Sequence, residues 1–321
     1  MNIKQIEILK YKLPLKIPLI FKKHRLRFRE GFVIEIADLE GNFGLGEISP
    51  LPGFSRESLS MVKRELFLLK KRLLGEELSK DFLKLEGRFF KWLDRYKLSA
   101  SVRCGVEMAV LDLLENKKKN AVSATVPVAG LLTGTKEEVC RHTKELLAHK
   151  FKVFKLKIGR GTLKEEILKT KTVLWLLAGR ASLRLDCNRQ FSFKEAVEFA
   201  SHFKAKDLEY IEEPFADFKH IPEFFKKTGI GVALDETLLE IDPADLKKFS
   251  GVKALVLKPT ILGGFERCMQ FIRVAKKLGI ESVISSSFET TIGLMALARF
   301  AAKIDKKIAH GLDTEKWFKE Q

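Results

Sequence analysis

Cysteine is scarce in this chain: Cys104, Cys140, Cys187 and Cys268 lie far apart, with no CxxC and no metal-ligand spacing. That pattern excludes a disulfide framework or a cysteine metal centre and fits reduced thiols in a cytoplasmic protein. No segment reaches the roughly 18 uninterrupted apolar residues of a bilayer span, so membrane insertion is not expected. Charge interrupts every apolar stretch of the opening MNIKQIEILKYKLPL, which does not read as a signal peptide. Neither a Walker pattern nor a GxGxxG opens the alternating part of the chain, which weakens a nucleotide-binding reading. Low-complexity tracts and short repeats are missing as well. Acid is the minority charge: 42 Asp plus Glu against 59 Lys plus Arg leave a net +17. Such a balance favours anionic partners. The basic residues are scattered, however, with only short runs such as Lys117 to Lys119, and no nucleic-acid signature accompanies them. Solubility, or attraction of a small multiply negative substrate, accounts for the charge better than nucleic acid does.

Hydrophobic residues make up 45% of the 321 positions, enough for a sizeable core, and the 31% charged residues mix both signs, which argues against disorder. Residues 1–60 read as β-rich. Ile3 to Tyr11 alternates, Gly31 to Ala37 and Phe43 to Ile48 flank the turn Asp38 to Gly41, and Ser49 to Ser55 is a loop with two prolines. Helical periodicity follows over Ser58–Leu74, Ser79–Tyr96 and Ser99–Lys117. These elements make an α+β domain. From Val126 the rhythm becomes alternating strand and helix. Strands are expected at 126–132, 152–158, 182–186, 208–212, 231–235, 254–258, 282–286 and 308–311. Helices between them include 136–149, 163–177, 193–204 and 265–278. Seven or eight such units argue for a closed α/β barrel, with a doubly wound open sheet as the alternative.

Five of these apolar runs end on charge: Lys157, Asp186, Glu212, Asp235 and Lys258, spaced by 29, 26, 23 and 23 residues. If each run is a strand of one parallel barrel, the five side chains meet at its carboxyl-terminal rim, where barrel enzymes do their chemistry. Three carboxylates with room for further oxygens suit Mg²⁺. Taken singly, each acid has an ordinary competing role as cap of the next helix. Strand alternation allows only one of Glu212 and Glu213, and one of Asp235 and Glu236, to face the cavity. Lys155 and Lys157 share one strand face, and a neighbouring ammonium and a dication both disfavour protonation of an amine. Lys258 comes from across the barrel. These parts suit removal of a proton α to a metal-bound carboxylate, with the enediolate stabilised by the cation. Elimination, racemisation and cycloisomerisation all remain open from these parts.

The order KLK, LDCN, IEEP, LDE and LKP with Gly263-Gly264 resembles the enolase superfamily in its muconate-lactonising branch, whose sites pair a lysine or histidine base with Mg²⁺. The resemblance implies a modified (β/α)7β TIM-type barrel over 123–311, with an N-terminal α+β capping domain over 1–122 that the tail from about 312 to 321 rejoins. GEISPLPGFSRES (46–58), VLKPTILGG (256–264), ISSSFETTIGL (284–294) and GLDT (311–314) are similar to the o-succinylbenzoate synthase subgroup of menaquinone biosynthesis. By that resemblance Lys157 is the base and its conjugate acid assists loss of hydroxide from the same face of a small dicarboxylate. Lys258 faces it as a cation. Asp186, Glu212 and Asp235 hold Mg²⁺, or Mn²⁺ in its place. Lys155, Arg184 and Asn188 support the site, Arg184 by steering a carboxylate or balancing charge. Ser285, Ser286, Ser287, Gly263 and Gly264 would line the substrate's carboxylate region, with turn chemistry as the competing reading of the serines. Leu51, Pro52, Gly53 and Phe54 would cover the site or staple the cap to the barrel. The basic loop Phe21 to Arg29, with Lys22, Lys23, Arg25 and Arg27, occupies the place of a mobile specificity loop. An N-succinyl amino acid racemase, a dipeptide epimerase and a non-catalytic basic binding protein are the alternatives. Oligomeric state is not legible.

Overall fold

Side-chain alternation builds the first sheet. In the computed structural model, which describes residues 1–21, 24–116 and 125–319, β1 (Ile3–Phe21), β2 (His24–Asp38) and β3 (Phe43–Ile48) are antiparallel in that order. From Phe32 to Asp38 every second residue of β2 is buried, the pattern of a sheet covered on one face. Asp38 sets the β2–β3 turn: one carboxylate oxygen accepts from the N–H groups of Glu40 and Asn42, both at 2.9 Å.

The β1–β2 hairpin runs further than the alternation suggests. Beyond Tyr11 the strand continues to Phe21, so the expected basic loop is the far end of a hairpin, with Arg25 and Arg27 exposed on β2. Pro14 and Pro18 hide this in the sequence. They lack the N–H a ladder needs, and the pairing slips register between Pro14 and Leu19. Lys22 and Lys23 lie outside the described residues, as do Lys117 to Lys119 and the expected domain boundary at 122/123.

Helices cover the sheet's inner face. Leu59–Leu73 starts at Ser58, whose hydroxyl accepts from Met61 N–H. The single helix expected over Ser79–Tyr96 is two pieces, a 3-10 turn Lys80–Lys84 and a helix Arg88–Asp94. Leu85 at φ +52° and Gly87 at φ +98° leave the right-handed region between them. The helix Ala100–Asn116 is buried along most of its length and forms the spine of the capping domain. It lies so close to β3 that a Cβ on Gly46 would stand 1.9 Å from the Gly105 carbonyl oxygen. Only glycine permits that approach.

The barrel follows as β4 (Gly130–Leu132), β5 (Val153–Lys157), β6 (Ser182–Asp186), β7 (Tyr210–Glu212), β8 (Val232–Leu234), β9 (Val252–Leu257) and β10 (Glu281–Ile284), seven parallel strands in sequence order. Three of the intervening helices begin with the same device. Thr135, Thr162 and Ser192 each accept from the backbone of a glutamate three residues on, and that glutamate's side chain reaches back to the cap N–H. The expected eighth strand at 308–311 is a two-residue seam. His310 bridges Val128 and Gly311 bridges Ser285, through Ala129 N–H to His310 O and Gly311 N–H to Ile284 O, both at 2.9 Å. The seam joins the first strand to the seventh, so the architecture is a modified (β/α)7β TIM-type barrel with an N-terminal α+β capping domain. The chain then returns to the hairpin, where Phe318 bridges Leu15.

Carboxylates dock the two parts through helix N-termini. Glu47, at the end of β3, accepts from the N–H groups of Thr290 and Gly293 at the start of the helix Thr291–Ile304, and from Tyr11 Oη at 2.5 Å. Glu107 of the spine helix accepts from Glu266 N–H in the first turn of the helix Phe265–Lys277, at 3.1 Å. Glu266 in turn accepts from the N–H groups of Gly87 and Phe90. Burial pushes the Glu107 carboxyl up to about 8.

Candidate active site

Each charged run of the barrel ends at the same rim. In register, Lys157 pairs with Asp186 and Asp186 with Glu212, while Asp235 and Lys258 come one residue after β8 and β9. Parallel pairing without a slip across β5, β6 and β7 puts three strand ends at one height, and alternation turns all three side chains the same way. Asp186 and Glu212 are fully buried and Asp235 is 7% exposed. Beneath them the barrel interior is filled by Tyr210, Ala233, Ala254 and Val256.

The lysines interleave with these carboxylates. Lys155 Nζ lies 2.8 Å from Asp186 Oδ2. It is 2.7 Å from Glu212 Oε1 and 2.6 Å from Oε2, but only Oε1 has hydrogen-bond geometry. Lys157 donates to Asp186 Oδ2 at 2.6 Å and to Asn188 Oδ1 at 2.7 Å. Lys258 is ion-paired with Asp235, and its amine sits 5.5 Å from the centre of the Phe54 ring. Burial alone would raise the Asp186 carboxyl, but Lys155 and Lys157 outweigh it and hold the group far below the usual carboxylate range. Glu212 is pushed up by burial and by the adjacent Asp186 charge. Burial works against the Lys155 and Lys258 ammonium groups, yet the surrounding carboxylates hold both above the ordinary lysine value.

Among the described residues no three carboxylate, histidine or cysteine side chains already close on one point. Lys155 stands between Asp186 and Glu212, and Lys258 stands against Asp235. The donor set nevertheless fits a hard divalent cation: three buried carboxylates from successive strands, all oxygen, with Glu212 Oε2 lacking a hydrogen-bond partner. The capping alternative fails for Asp235, which precedes a 3-10 turn but makes no side-chain capping bond.

Some expectations from the sequence need correction. Arg184 faces inward but lies one pleat below Asp186 and does not join the carboxylates. Its Nε pairs with Glu209 and its Nη1 donates to Ala309 O at 2.6 Å. There it borders a cavity of about 770 Å³ at the opposite, amino-terminal end of the strands, with Lys253, Glu281 and Lys307. Alternation separates Glu212 from Glu213 as expected. Glu213 turns away, accepting from the N–H groups of Asp235 and Thr237 and from Arg189 Nε. The same rule misleads at Asp235-Glu236. The strand stops at Leu234 and the chain bends into the turn Glu236–Leu239, so Glu236 also reaches the site, accepting from Asn188 Nδ2 at 3.0 Å. Burial, then the neighbouring Asp235 charge, raises the Glu236 carboxyl to about 7.

The substrate-lining candidates divide. Ser286 Oγ donates to Glu289 and accepts from Thr314 Oγ1 and Phe288 N–H, which is turn chemistry. Ser285 Oγ makes a long contact to Gly311 O at 3.4 Å, and Ser287 Oγ is buried without a partner. Gly263 and Gly264 both take positive φ and lie against the cap's spine helix, where a Cβ on Gly264 would meet the Glu107 carboxylate. In the covering loop Leu51 is buried, Pro52 is exposed, and Gly53 lies beside His24 at the far end of the hairpin.

One residue escapes sequence reasoning altogether. Arg29 is 1% exposed, and its guanidinium joins the covering loop to the serine loop. It donates to Pro50 O at 2.7 Å, Phe288 O at 3.0 Å, Ser287 O at 3.3 Å and Ser49 O at 2.5 Å. In the sequence it is one more charge in a basic run.

Comparison with known proteins identifies the fold and the family. Residues 138–320 match the family described as enolase C-terminal domain-like, and residues 3–84 match the N-terminal domain of MenC. An o-succinylbenzoate synthase of Aliivibrio salmonicida (strain LFI1238) is 33% identical over 321 residues, spanning 99% of this chain and 92% of its own. The L-Ala-D/L-Glu epimerase of Bacillus subtilis superposes with a TM-score of 0.86 at 21% identity, over 100% of this chain and 92% of that one. MenC from Desulfotalea psychrophila LSv54 gives 0.83 at 24% identity, over 100% and 96%. The structural likenesses carry the fold, and the sequence relatives carry the family. The chain belongs to the enolase superfamily, and within it to the family of the o-succinylbenzoate synthases, which are lyases.

Proposed function

We propose that this chain catalyses the syn-dehydration of 2-succinyl-6-hydroxy-2,4-cyclohexadiene-1-carboxylate to o-succinylbenzoate and water, a step of menaquinone biosynthesis. The observation that carries the reading is the placement of Lys157 and Lys258 on β5 and just after β9, across the barrel from each other, with three buried carboxylates between them. Asp186, Glu212 and Asp235 would hold Mg²⁺, or Mn²⁺ in its place, which when bound supplies positive charge to the substrate carboxylate and acidifies its α-proton.

Lys157 would serve as the base. Two of its N–H groups are directed at Asp186 and Asn188, which leaves its lone pair for the substrate. It takes the α-proton, and the electron pair moves into the carboxylate to give an enediolate. When the carboxylate re-forms, the ring's 6-hydroxyl leaves from the same face and takes the proton back from Lys157 as water. Lys258, ion-paired with Asp235, meets the developing anion with positive charge from the opposite side. Ring aromatisation drives the reaction, so the protein needs to supply only modest acceleration. Phe54 and Leu51 cover the site from the capping domain, and the excess of basic residues suits a dicarboxylate.

A two-base racemase would need Lys258 as a second base, whereas the surrounding Asp235, Glu236 and Glu212 hold its ammonium above the ordinary lysine value against the effect of burial. One preparation offered both substrates separates the readings. Dehydration of the cyclohexadiene, followed by the absorbance of the aromatic product, is the expected result. Solvent deuterium entering an unchanged N-succinyl amino acid, with no dehydration, would refute it.

A further inference from the structure

The direction of the Lys157 lone pair depends on which way the Asn188 amide faces. Asn188 guides Lys157 only while its carbonyl oxygen, and not its NH2, meets the lysine. The two orientations of an asparagine amide have the same shape, so something else must choose between them. Lys157 offers N–H groups, and Oδ1 accepts from it at 2.7 Å. On the other side, Nδ2 donates to Glu236 Oε1 at 3.0 Å. In the orientation present, the lysine donates to Oδ1 and Nδ2 donates to the glutamate, so both ends of the row Lys157–Asn188–Glu236 are matched. Turning the amide would point its NH2 at the lysine, against an N–H group or into the lone pair the substrate needs, and would set its carbonyl against the Glu236 oxygen. The Asn188 backbone is already held, with its N–H on Asp186 Oδ1 at 3.1 Å, so the side-chain amide is the remaining freedom.

Glu236 is poorly explained as a structural residue. Its neighbour in type, Glu213, accepts from two backbone N–H groups, a hydroxyl and an arginine. Glu236 Oε2 is buried with no hydrogen-bond partner, and a carboxylate so placed costs stability. Its one described hydrogen bond is the one to Asn188.

We propose that Glu236 is a positioning residue for proton transfer at Lys157, fixing the orientation of the Asn188 amide and through it the direction of the lysine lone pair. This rests on reading Lys157 as the base.

A double-mutant cycle tests it. Glu236→Met removes the acceptor and is expected to lower kcat about 10- to 100-fold, with KM changed by less than about threefold. Glu236→Gln keeps an acceptor for Asn188, but its own amide can turn with it, so it should recover only part of that loss. In an Asn188→Ala background, Glu236→Met should cost nothing further, because the residue it acts through is gone. Asn188→Asp should restore kcat in the Glu236→Met variant, since a carboxylate has no amide to turn. Two readouts do not depend on turnover. Mg²⁺ affinity by calorimetry should stay within about threefold across the Glu236 variants. A neutron structure of Glu236→Met should show the Asn188 amide in both orientations. Additive losses, a Glu236→Gln variant as impaired as Glu236→Met, a large loss of Mg²⁺ affinity, or an unmoved amide would each overturn the proposal. Lys157→Ala separates it from the reading beneath. Retained turnover in that variant removes the base assignment itself, whereas lost turnover with an additive cycle removes only the role of Glu236.

Discussion

Replacing Arg29 by methionine keeps the apolar stem and removes every donor from the junction of the covering loop and the serine loop. Five backbone carbonyls lose a charged hydrogen-bond partner: those of Ser49, Pro50, Ser287 and Phe288 in the two loops, and that of the adjacent Glu30 through a long contact. A hydrogen bond to a charged group contributes about 1.5–3 kcal/mol, and water entering the junction would satisfy some of the carbonyls, so a net local loss of about 3 kcal/mol is expected. At about 1.36 kcal/mol per factor of ten, that is roughly a 150-fold increase in local opening. Hydrogen–deuterium exchange reads this directly, because nearby amides now have partners: Leu51 N–H on Ser55 Oγ, Ser287 N–H on Glu289 and Phe288 N–H on Ser286 Oγ. Peptides over 49–55 and 285–290 should exchange faster, while amides at the barrel's other end, such as Ser182 N–H on Lys152 O, should not change. KM should rise, since Phe54 reaches Lys258 from the same loop. Arg29→Lys should fall between, because one ammonium cannot span carbonyls from both loops. Unchanged exchange in these two segments, or an equal increase everywhere, would refute the argument that Arg29 clamps them.

Further expectations follow from the same geometry. Lys157→Ala should lower kcat by roughly 10²- to 10⁴-fold with Mg²⁺ affinity retained, checked by turnover and calorimetry on one preparation. Asp235→Asn should weaken Mg²⁺ binding; unchanged affinity removes it from the ligand set. Gly46→Ala should destabilise the fold, because its Cβ would press on the Gly105 carbonyl, and thermal unfolding measures the loss. Glu107 has a folded-state value of about 8 against 4.5 for the free group, so between those values the folded protein binds a proton that the unfolded chain does not. Its contribution to stability therefore falls as pH rises through that window. Glu107→Gln should gain stability relative to the parent at pH 8 more than at pH 5, and a constant difference would contradict the shift.

The candidate rim is legible because each strand announces itself as an apolar run and each candidate residue stands at its end. Near-regular spacing then implies equal height, and the register of β5, β6 and β7 has the strand ends level. Alternation also separated Glu212 from Glu213. It failed at Glu236, where β8 stops one residue earlier than the pattern suggests and the backbone turns. Arg184 faces inward and balances the Glu209 charge, but facing inward does not say which end of the barrel a long side chain will reach, and Glu209 takes it toward the floor and away from the rim carboxylates. Prolines concealed the outer half of β1, and a positive φ at Leu85, which carries no glycine signal, concealed the break in the second helix. The joints between domains had no local signature. Glu47 meets Thr290 across 243 residues of chain, and Arg29 meets Phe288 across 259. Nothing near either residue in the sequence names its partner.

A crystal structure with Mg²⁺ and o-succinylbenzoate tests the central claim most directly. The ion should rest on Asp186, Glu212 and Asp235, with the product's ring carboxylate between Lys157 and Lys258 and the two amines on opposite faces of it. An ion bound elsewhere, or both lysines on one side of the ring, would contradict the account.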